Sequence, residues 1–268
     1  MQFAKSILLL AALTSGTFAG LPKRASSTLI PSASSTSSSP SSSSSSGGGG
    51  GAWTSTPSSG SFSEEGFGSK TSHGGEGVSY QGNVGQPWGS NIIQVSASDA
   101  SKYKHVAQIS GQNTEPWNVV FWNKIGPDGQ MTGWYGNSAL KFQLGPGETK
   151  YVAIADDSQG GFGAAPGKLP TGVDGGYAST WGEFDFSSSG NGGWSGFDVS
   201  AIKAQDAGLP VQGMSMCDAL GGTCSSITAD AGSVDNAYTS AETDAGGIGG
   251  NISGDGPIRL QITIDYSG

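Results

Sequence analysis

Seven tryptophans are many for a chain of 268 residues. Sugars stack on exposed indole and phenol rings, because their apolar and slightly positive C–H edges match the ring quadrupole. Trp134, Tyr135 and Trp194 stand beside glycines in expected loops, and they form the candidate carbohydrate platform. Burial in a core is the alternative fate of a tryptophan in a β protein.

Other residue types that carry chemistry give less. The two histidines are His73, in a Gly- and Ser-rich lead-in, and His105, at the start of an expected strand. A copper monooxygenase would need histidine as the first mature residue, and neither Gly20 nor Ala25 is one. No Gly-x-Ser-x-Gly elbow is present, since Gly193-Trp194-Ser195-Gly196 is one residue short of it. Asp156-Asp157-Ser158-Gln159-Gly160 lacks the spacing and closing Glu of a twelve-residue calcium loop, and the acids between Asp230 and Asp244 give an equally weak signal. No metal and no cofactor are expected. The two cysteines, Cys217 and Cys224, enclose six residues, two of them glycine. In an exported chain the expectation is a disulfide; the rival is a metal pair, which lacks the further ligands that zinc generally takes.

Export is itself expected. Lys5 precedes the apolar run from Ser6 to Leu13, and Thr17-Phe18-Ala19 supplies small residues for a signal peptidase. The run is too short to span a bilayer core of about 30 Å, which takes roughly 20 apolar residues. Residues 1–19 are read as a signal peptide and 20–24 as a candidate pro-segment ending in the dibasic Lys23-Arg24. No later stretch is long and apolar enough for a membrane span, and 262–268 lacks the hydrophobic tail of a lipid-anchor signal. The chain carries a net charge of −9; losing residues 1–24 removes three basic residues and no acid, which makes it −12. That balance argues against nucleic acid and anionic membranes as partners.

Residues 26–46 hold 14 Ser and 2 Thr, and Gly47 to Gly51 follow. So polar a stretch cannot offset its ordering entropy, so 25–76 is read as a disordered Ser/Gly-rich linker, either a bare spacer or an O-glycosylated stalk. From Gly77 to Gly268 short apolar runs alternate with Gly, Pro, Asn and Asp, which predicts one all-β domain, a β-sandwich with long Gly-rich loops. Strands are expected near 91–95, 105–110, 117–123, 139–144, 149–155, 178–186, 196–201, 211–217 and 258–266. Trp181, Glu183 and Asp185 share one face of theirs, and Ile258, Leu260, Ile262 and Ile264 share one face of the last. Gly126-Pro127-Asp128-Gly129 and Gly145-Pro146-Gly147-Glu148 read as turns. Weak helical signals cover 98–103 and 234–241. Asn251-Ile252-Ser253 is an N-glycosylation sequon before the last strand.

Several blocks are specific enough to suggest a family: Gly85-Gln86-Pro87-Trp88-Gly89-Ser90-Asn91, Asn113-Thr114-Glu115-Pro116-Trp117 running on to Phe121-Trp122-Asn123, Gly175-Gly176-Tyr177-Ala178-Ser179-Thr180-Trp181-Gly182-Glu183-Phe184-Asp185-Phe186, Gly192-Gly193-Trp194-Ser195-Gly196-Phe197-Asp198-Val199-Ser200, and Val234-Asp235-Asn236-Ala237-Tyr238. Over 82–266 the chain resembles the Asp f four-like family of secreted fungal allergens. The resemblance implies an exported fungal protein recognised by host IgE and names no substrate. A fainter resemblance, to thaumatin-like proteins, runs through Trp181-Gly182-Glu183-Phe184, Phe197-Asp198-Val199-Ser200 and Asp206-Ala207-Gly208-Leu209-Pro210. It implies a thaumatin-like strand order and places Glu183, Asp198 and Asp206 on an acidic cleft that in some members binds or cleaves β-1,3-glucan. The many disulfides and the cleft arginine of that family are missing here. Glycoside hydrolysis takes a protonated acid and an ionised partner, about 5–5.5 Å apart for retention and about 6.5–9.5 Å for inversion, and Glu183 with Asp198 is the pair to test.

The expected function is therefore that of a secreted or wall-associated monomer, an IgE-binding allergen that binds cell-wall polysaccharide such as β-glucan without catalysis. The alternatives are a β-1,3-glucan hydrolase using the acidic residues, and an effector acting on a small ligand or a host protein.

Overall fold

The strict alternation of the last strand survives folding. Ile258, Leu260, Ile262 and Ile264, in a strand spanning Ile258–Ile264, are each at most 1% exposed. The computed structural model describes residues 52–72 and 74–268, which all fall in one unit. The signal, the dibasic site, the Ser-rich tract and His73 lie outside the described residues.

Thirteen strands are present among the described residues. They are β1 (Ile92–Val95), β2 (His105–Gly111), β3 (Trp117–Asn123), β4 (Leu140–Leu144), β5 (Lys150–Ile154), β6 (Ser158–Pro166), β7 (Trp181–Ser188), β8 (Trp194–Ser200), β9 (Met214–Asp218), β10 (Cys224–Ile227), β11 (Val234–Asp235), β12 (Gly250–Ile252) and β13 (Ile258–Ile264). One short helix, α1, covers Ile202–Asp206. A seven-stranded sheet runs β1-β5-β2-β13-β9-β10-β11 and a six-stranded sheet runs β12-β8-β7-β6-β3-β4. Within these sheets β13 pairs parallel with β2, and the other strand pairs are antiparallel. The chain is an all-β sandwich, as its turn-punctuated apolar runs require.

The inner faces meet in one core. Ile109, Val152, Met216, Leu260 and Ile262 come from one sheet, and Val119, Phe121, Phe162, Phe184, Phe197 and Val199 come from the other. The packing is tight at Gly182, where a Cβ would lie 2.2 Å from Phe162 Cε1 and 2.7 Å from Met216 Sδ in the facing sheet. Glycine at this point lets the sheets come together over the aromatic rings.

Each outer face is covered in part as well. On the seven-stranded sheet, Trp53 and Phe67 from the N-terminal segment pack with Tyr103, Val106, Tyr151 and Ala153. Arg259, fully buried on that face, donates from Nε to the Trp53 carbonyl and from Nη2 to the Ser55 carbonyl, each at 3.0 Å. The linker expected over 25–76 is corrected here: its last part, from Trp53, belongs to the sandwich. The apolar Trp53 and Phe67, set in a Ser- and Gly-rich context, find their burial only against strands distant in sequence.

The nine expected strands are all found, with ends shifted by a few residues. Both turns close, through Gly129 N to the Gly126 carbonyl and Glu148 N to the Gly145 carbonyl. Of the helical signals, 98–103 contains a single 3-10 turn at Ala100–Lys102. The segment 234–241 is not a helix; it splits into β11 and a 3-10 turn at Ser240–Glu242.

Candidate functional site

The outer face of the six-stranded sheet gathers most of the chemistry. Adjacent strands set Asp198 on β8 opposite Glu183 on β7, Glu183 opposite Gly161 on β6, and Gly161 opposite Trp122 on β3. One step along, Asn251 on β12, Gly196, Asp185 and Gln159 form the neighbouring row. Side chains directly opposite in an antiparallel pair have Cβ atoms about 4.5–5.5 Å apart, so Glu183 and Asp198 face each other at close range. The Trp122 indole lies over Gly161, its Nε1 3.1 Å from where a Cβ would stand.

Loops then seal this face. Trp122, Trp134, Trp181, Tyr177, Ala165 and Leu169 form an aromatic cluster at one end, with the Trp122 and Trp181 rings 5.1 Å apart and Trp134 and Trp181 5.9 Å apart. Tyr238 and the backbone at Gly249 close over Asp198; a Cβ on Gly249 would fall 2.7 Å from the Asp198 Cβ. Glu183 and Asp198 are each only 2% exposed, and neither Glu183 oxygen nor Asp198 Oδ1 has a hydrogen-bond partner. Burial, and the facing Asp198, push the Glu183 carboxyl well above the usual carboxylate range; burial does the same to Asp198. Burial also pushes Asp185 up to about 7, against the pull of Lys124 and a 3.1 Å bond from Gln159 Nε2. The nearly buried Lys124 is pushed down to about 8 by its own desolvation.

The structure thus brings Glu183 and Asp198 together and leaves Asp206 apart. Asp206 is exposed at the end of α1, where it lines a pocket of about 190 Å³ with Gly172, Val173, Asp174 and Lys203. Lys203 Nζ lies 3.2 Å from Asp174 Oδ2. The carry-over from the thaumatin-like pattern fails at Asp206 because α1 turns the chain away after β8.

The aromatic platform also separates. Trp134 is 3% exposed and offers no free ring face, which corrects its assignment to a sugar-binding surface. Its loop folds back on Trp181, and of the nearby glycines Gly133 marks a tight approach to the sheet, where a Cβ would meet the Asn123 carbonyl, while Gly136 faces open space. Tyr135 is half-buried, its ring tilted against that of Trp134 with centroids 5.2 Å apart, and its hydroxyl is 3.5 Å from Asp174 Oδ2. Trp194 is 45% exposed at the start of β8. It stands about 20 Å along that strand from Ser200, the residue paired with Trp181.

Cys217 and Cys224 form a disulfide across the β9–β10 pair. Asn251 is exposed on the edge strand β12. Among the described residues no three His, Cys, Asp or Glu side chains gather to hold a metal ion. Sequence reasoning missed a second polar cluster, in which fully buried His105 places Nε2 2.5 Å from Asp156 Oδ1 and 3.2 Å from Ser187 Oγ, while Lys104 joins Asp156 and Asp255. Asp156 and Ser187 share one ring nitrogen and Nδ1 has no partner. The trio therefore lacks the relay of a Ser-His-Asp site, in which the acid and the serine use opposite nitrogens. Burial lowers the His105 imidazole, and the His105 and Lys104 contacts outweigh burial at Asp156 and hold its carboxyl below the ordinary range.

Residues 90–264 match the family model for the Allergen Asp f 4-like domain. A curated relative, Allergen Asp f 4 of Aspergillus fumigatus, is 56% identical over 215 residues, covering 80% of this chain and 66% of the relative. The chain thus spans just under two thirds of that relative's own length. Among solved structures, the protein elicitor MoHrip2 from Magnaporthe oryzae is similar at 12% identity with a TM-score of 0.39, covering 60% of this chain and 99% of that one.

Proposed function

The chain belongs to the Asp f 4-like family of fungal allergens, and on that premise we propose that it is a secreted, IgE-binding protein that holds cell-wall polysaccharide at its surface and does not cleave it. The observation that carries this reading is the sealing of the Glu183–Asp198 pair. A glycosidase must admit a sugar between its two carboxyl groups, and here both are closed in beneath Tyr238 and Gly249. Surface groups suited to sugars lie elsewhere. The Asp174–Lys203–Asp206 pocket supplies hydrogen-bonding groups beside the Tyr135 ring, and Trp194 presents an open indole.

Incubation with insoluble β-glucan and chitin, followed by a reducing-sugar assay, tests the proposal. Retention without released sugar is expected, weakened several-fold in Trp194→Ala and in Asp206→Asn. Sugar release that disappears in Glu183→Gln would replace this reading with the hydrolase. Failure to bind IgE from mould-sensitised sera would remove its immune half.

A further inference from the structure

Glu183 and Asp198 need a counter-charge that no neighbouring side chain supplies. Across the sheet, β6 presents Gly161 and β3 presents Trp122 beside them. The segment above contributes Tyr238, a phenol whose own ionisation is pushed up to about 12 by its burial and by Asp198. Along β7 the next outward residue is Asp185, another acid, and Lys124 acts on Asp185. No third metal-ligating side chain joins the pair among the described residues. Three of the four carboxyl oxygens are enclosed without partners. The counter-ion that fits such a space is a proton.

We propose that Glu183 and Asp198 keep at least one proton between them through neutral pH, and that this proton is an acid-operated lock holding the 236–250 segment closed over β8. That segment is tied to β8 by the Tyr238 N to Val199 O and Ala201 N to Tyr238 O hydrogen bonds, both 2.8 Å. It is tied to itself by Ile248 N to Tyr238 Oη at 3.2 Å and by paired bonds between Asn236 and Gly249 at 2.9 and 3.0 Å. Its Gly249 backbone rests directly on Asp198. Loss of that proton leaves two facing anions under that backbone, and outward movement of the segment is the way to hydrate them.

The direction of the pH effect follows. Both acids hold their protons more tightly folded than unfolded. Their stabilisation is therefore complete below the ordinary carboxylate range near pH 4 and is lost as pH rises through the folded-state ionisation. Asp185 adds in the same sense up to about pH 7. His105 and Lys124, lowered by burial, act in the opposite sense, so the comparison must be between wild type and variants.

The experiment uses the whole protein with Glu183→Gln and Asp198→Asn, each of which mimics a protonated acid. Infrared difference spectra against wild type at pH 7 should show a protonated-carboxyl C=O stretch that the substitution removes. Hydrogen exchange in 246–250, corrected for intrinsic rates, should rise at least about tenfold in wild type from pH 5 to pH 8, as one unit of pH past an ionisation implies, and stay flat in the variants. Either variant should match or exceed wild-type thermal stability at pH 8. The proposal fails if no protonated carboxyl is seen at pH 7, if exchange is independent of pH, or if both variants lose stability equally at pH 5 and pH 8. It also fails if dialysis against a chelator shifts the wild-type midpoint, which would put a cation between the acids.

Discussion

Replacing Arg259 by methionine keeps most of the side chain's volume and removes five donors at once. Those donors reach the carbonyls of Trp53, Ser55, Tyr103, Lys104 and Ile258 at 2.6–3.0 Å, with no carboxylate involved. Three of the acceptors belong to the sandwich around β2 and β13, and leaving each short of a partner costs about 1 kcal/mol at the low end of the usual range. Release of the N-terminal segment adds the lost packing of Trp53, whose ring centroid lies 6.2 Å from that of Tyr151, for roughly 1 kcal/mol more. A loss of about 4 kcal/mol is expected, which is large for a single substitution. Urea unfolding reads it directly: at a slope of about 2 kcal/mol per molar, the midpoint should fall by roughly 2 M with the slope unchanged. Lysine at the same position keeps the charge but gathers its donors at one point, so Arg259→Lys should also destabilise. In a chain lacking residues 1–55, Arg259→Met should cost less by about 1 kcal/mol, because the Trp53 and Ser55 contacts are already gone. A midpoint for Arg259→Met within error of wild type would refute the view that this guanidinium fastens the segment to the sheet.

The two tryptophans of the expected sugar platform should behave in opposite ways. Trp134→Ala should cost about 3–5 kcal/mol of stability as a buried aromatic truncation, whereas Trp194→Ala should change stability by less than about 0.5 kcal/mol; thermal unfolding separates them. Replacing Cys217 and Cys224 by serine should cost at most about 2.5 kcal/mol, since the bridged residues are 7 apart in sequence and so short a loop removes little unfolded-chain entropy. Denaturant midpoints with and without reductant check this, and a larger loss would mean that the bridge does more than close one hairpin.

Much of the fold could be read from local pattern, because strand alternation is written residue by residue. The alternation at 181–186 put Glu183 on one face and Phe184 on the other, as found. It could not show that both faces would be buried. Arg259 sits on the polar side of an alternating strand, and its burial depends on Trp53 and Ser55, some two hundred residues earlier. Glu183 and Asp198, expected on an open acidic cleft, are buried for the same reason, since Tyr238 and Gly249 cover them from another part of the chain. β6 went unseen because Gln159-Gly160-Gly161-Phe162-Gly163 has low strand propensity; its order comes from β3 and β7 on either side. The short β10, β11 and β12 carry too few residues for a period of two to register. Trp134 is not legible as buried because a glycine such as Gly133 looks the same in an open loop and in one pressed against a sheet.

The double covering of this sandwich bears on what an antibody can grip. With the 53–67 segment packed on one sheet and the 134–177 and 236–250 loops on the other, part of each outer sheet face is closed to an antibody. The large apolar side chains that an antibody would meet are those of Val173 and Leu220 in loops and of Trp194 and Val234 at the starts of β8 and β11, which are 41% exposed or more. Their arrangement depends on the fold, and recognition of this protein should be measured on native material, because peptides or boiled protein would lack it.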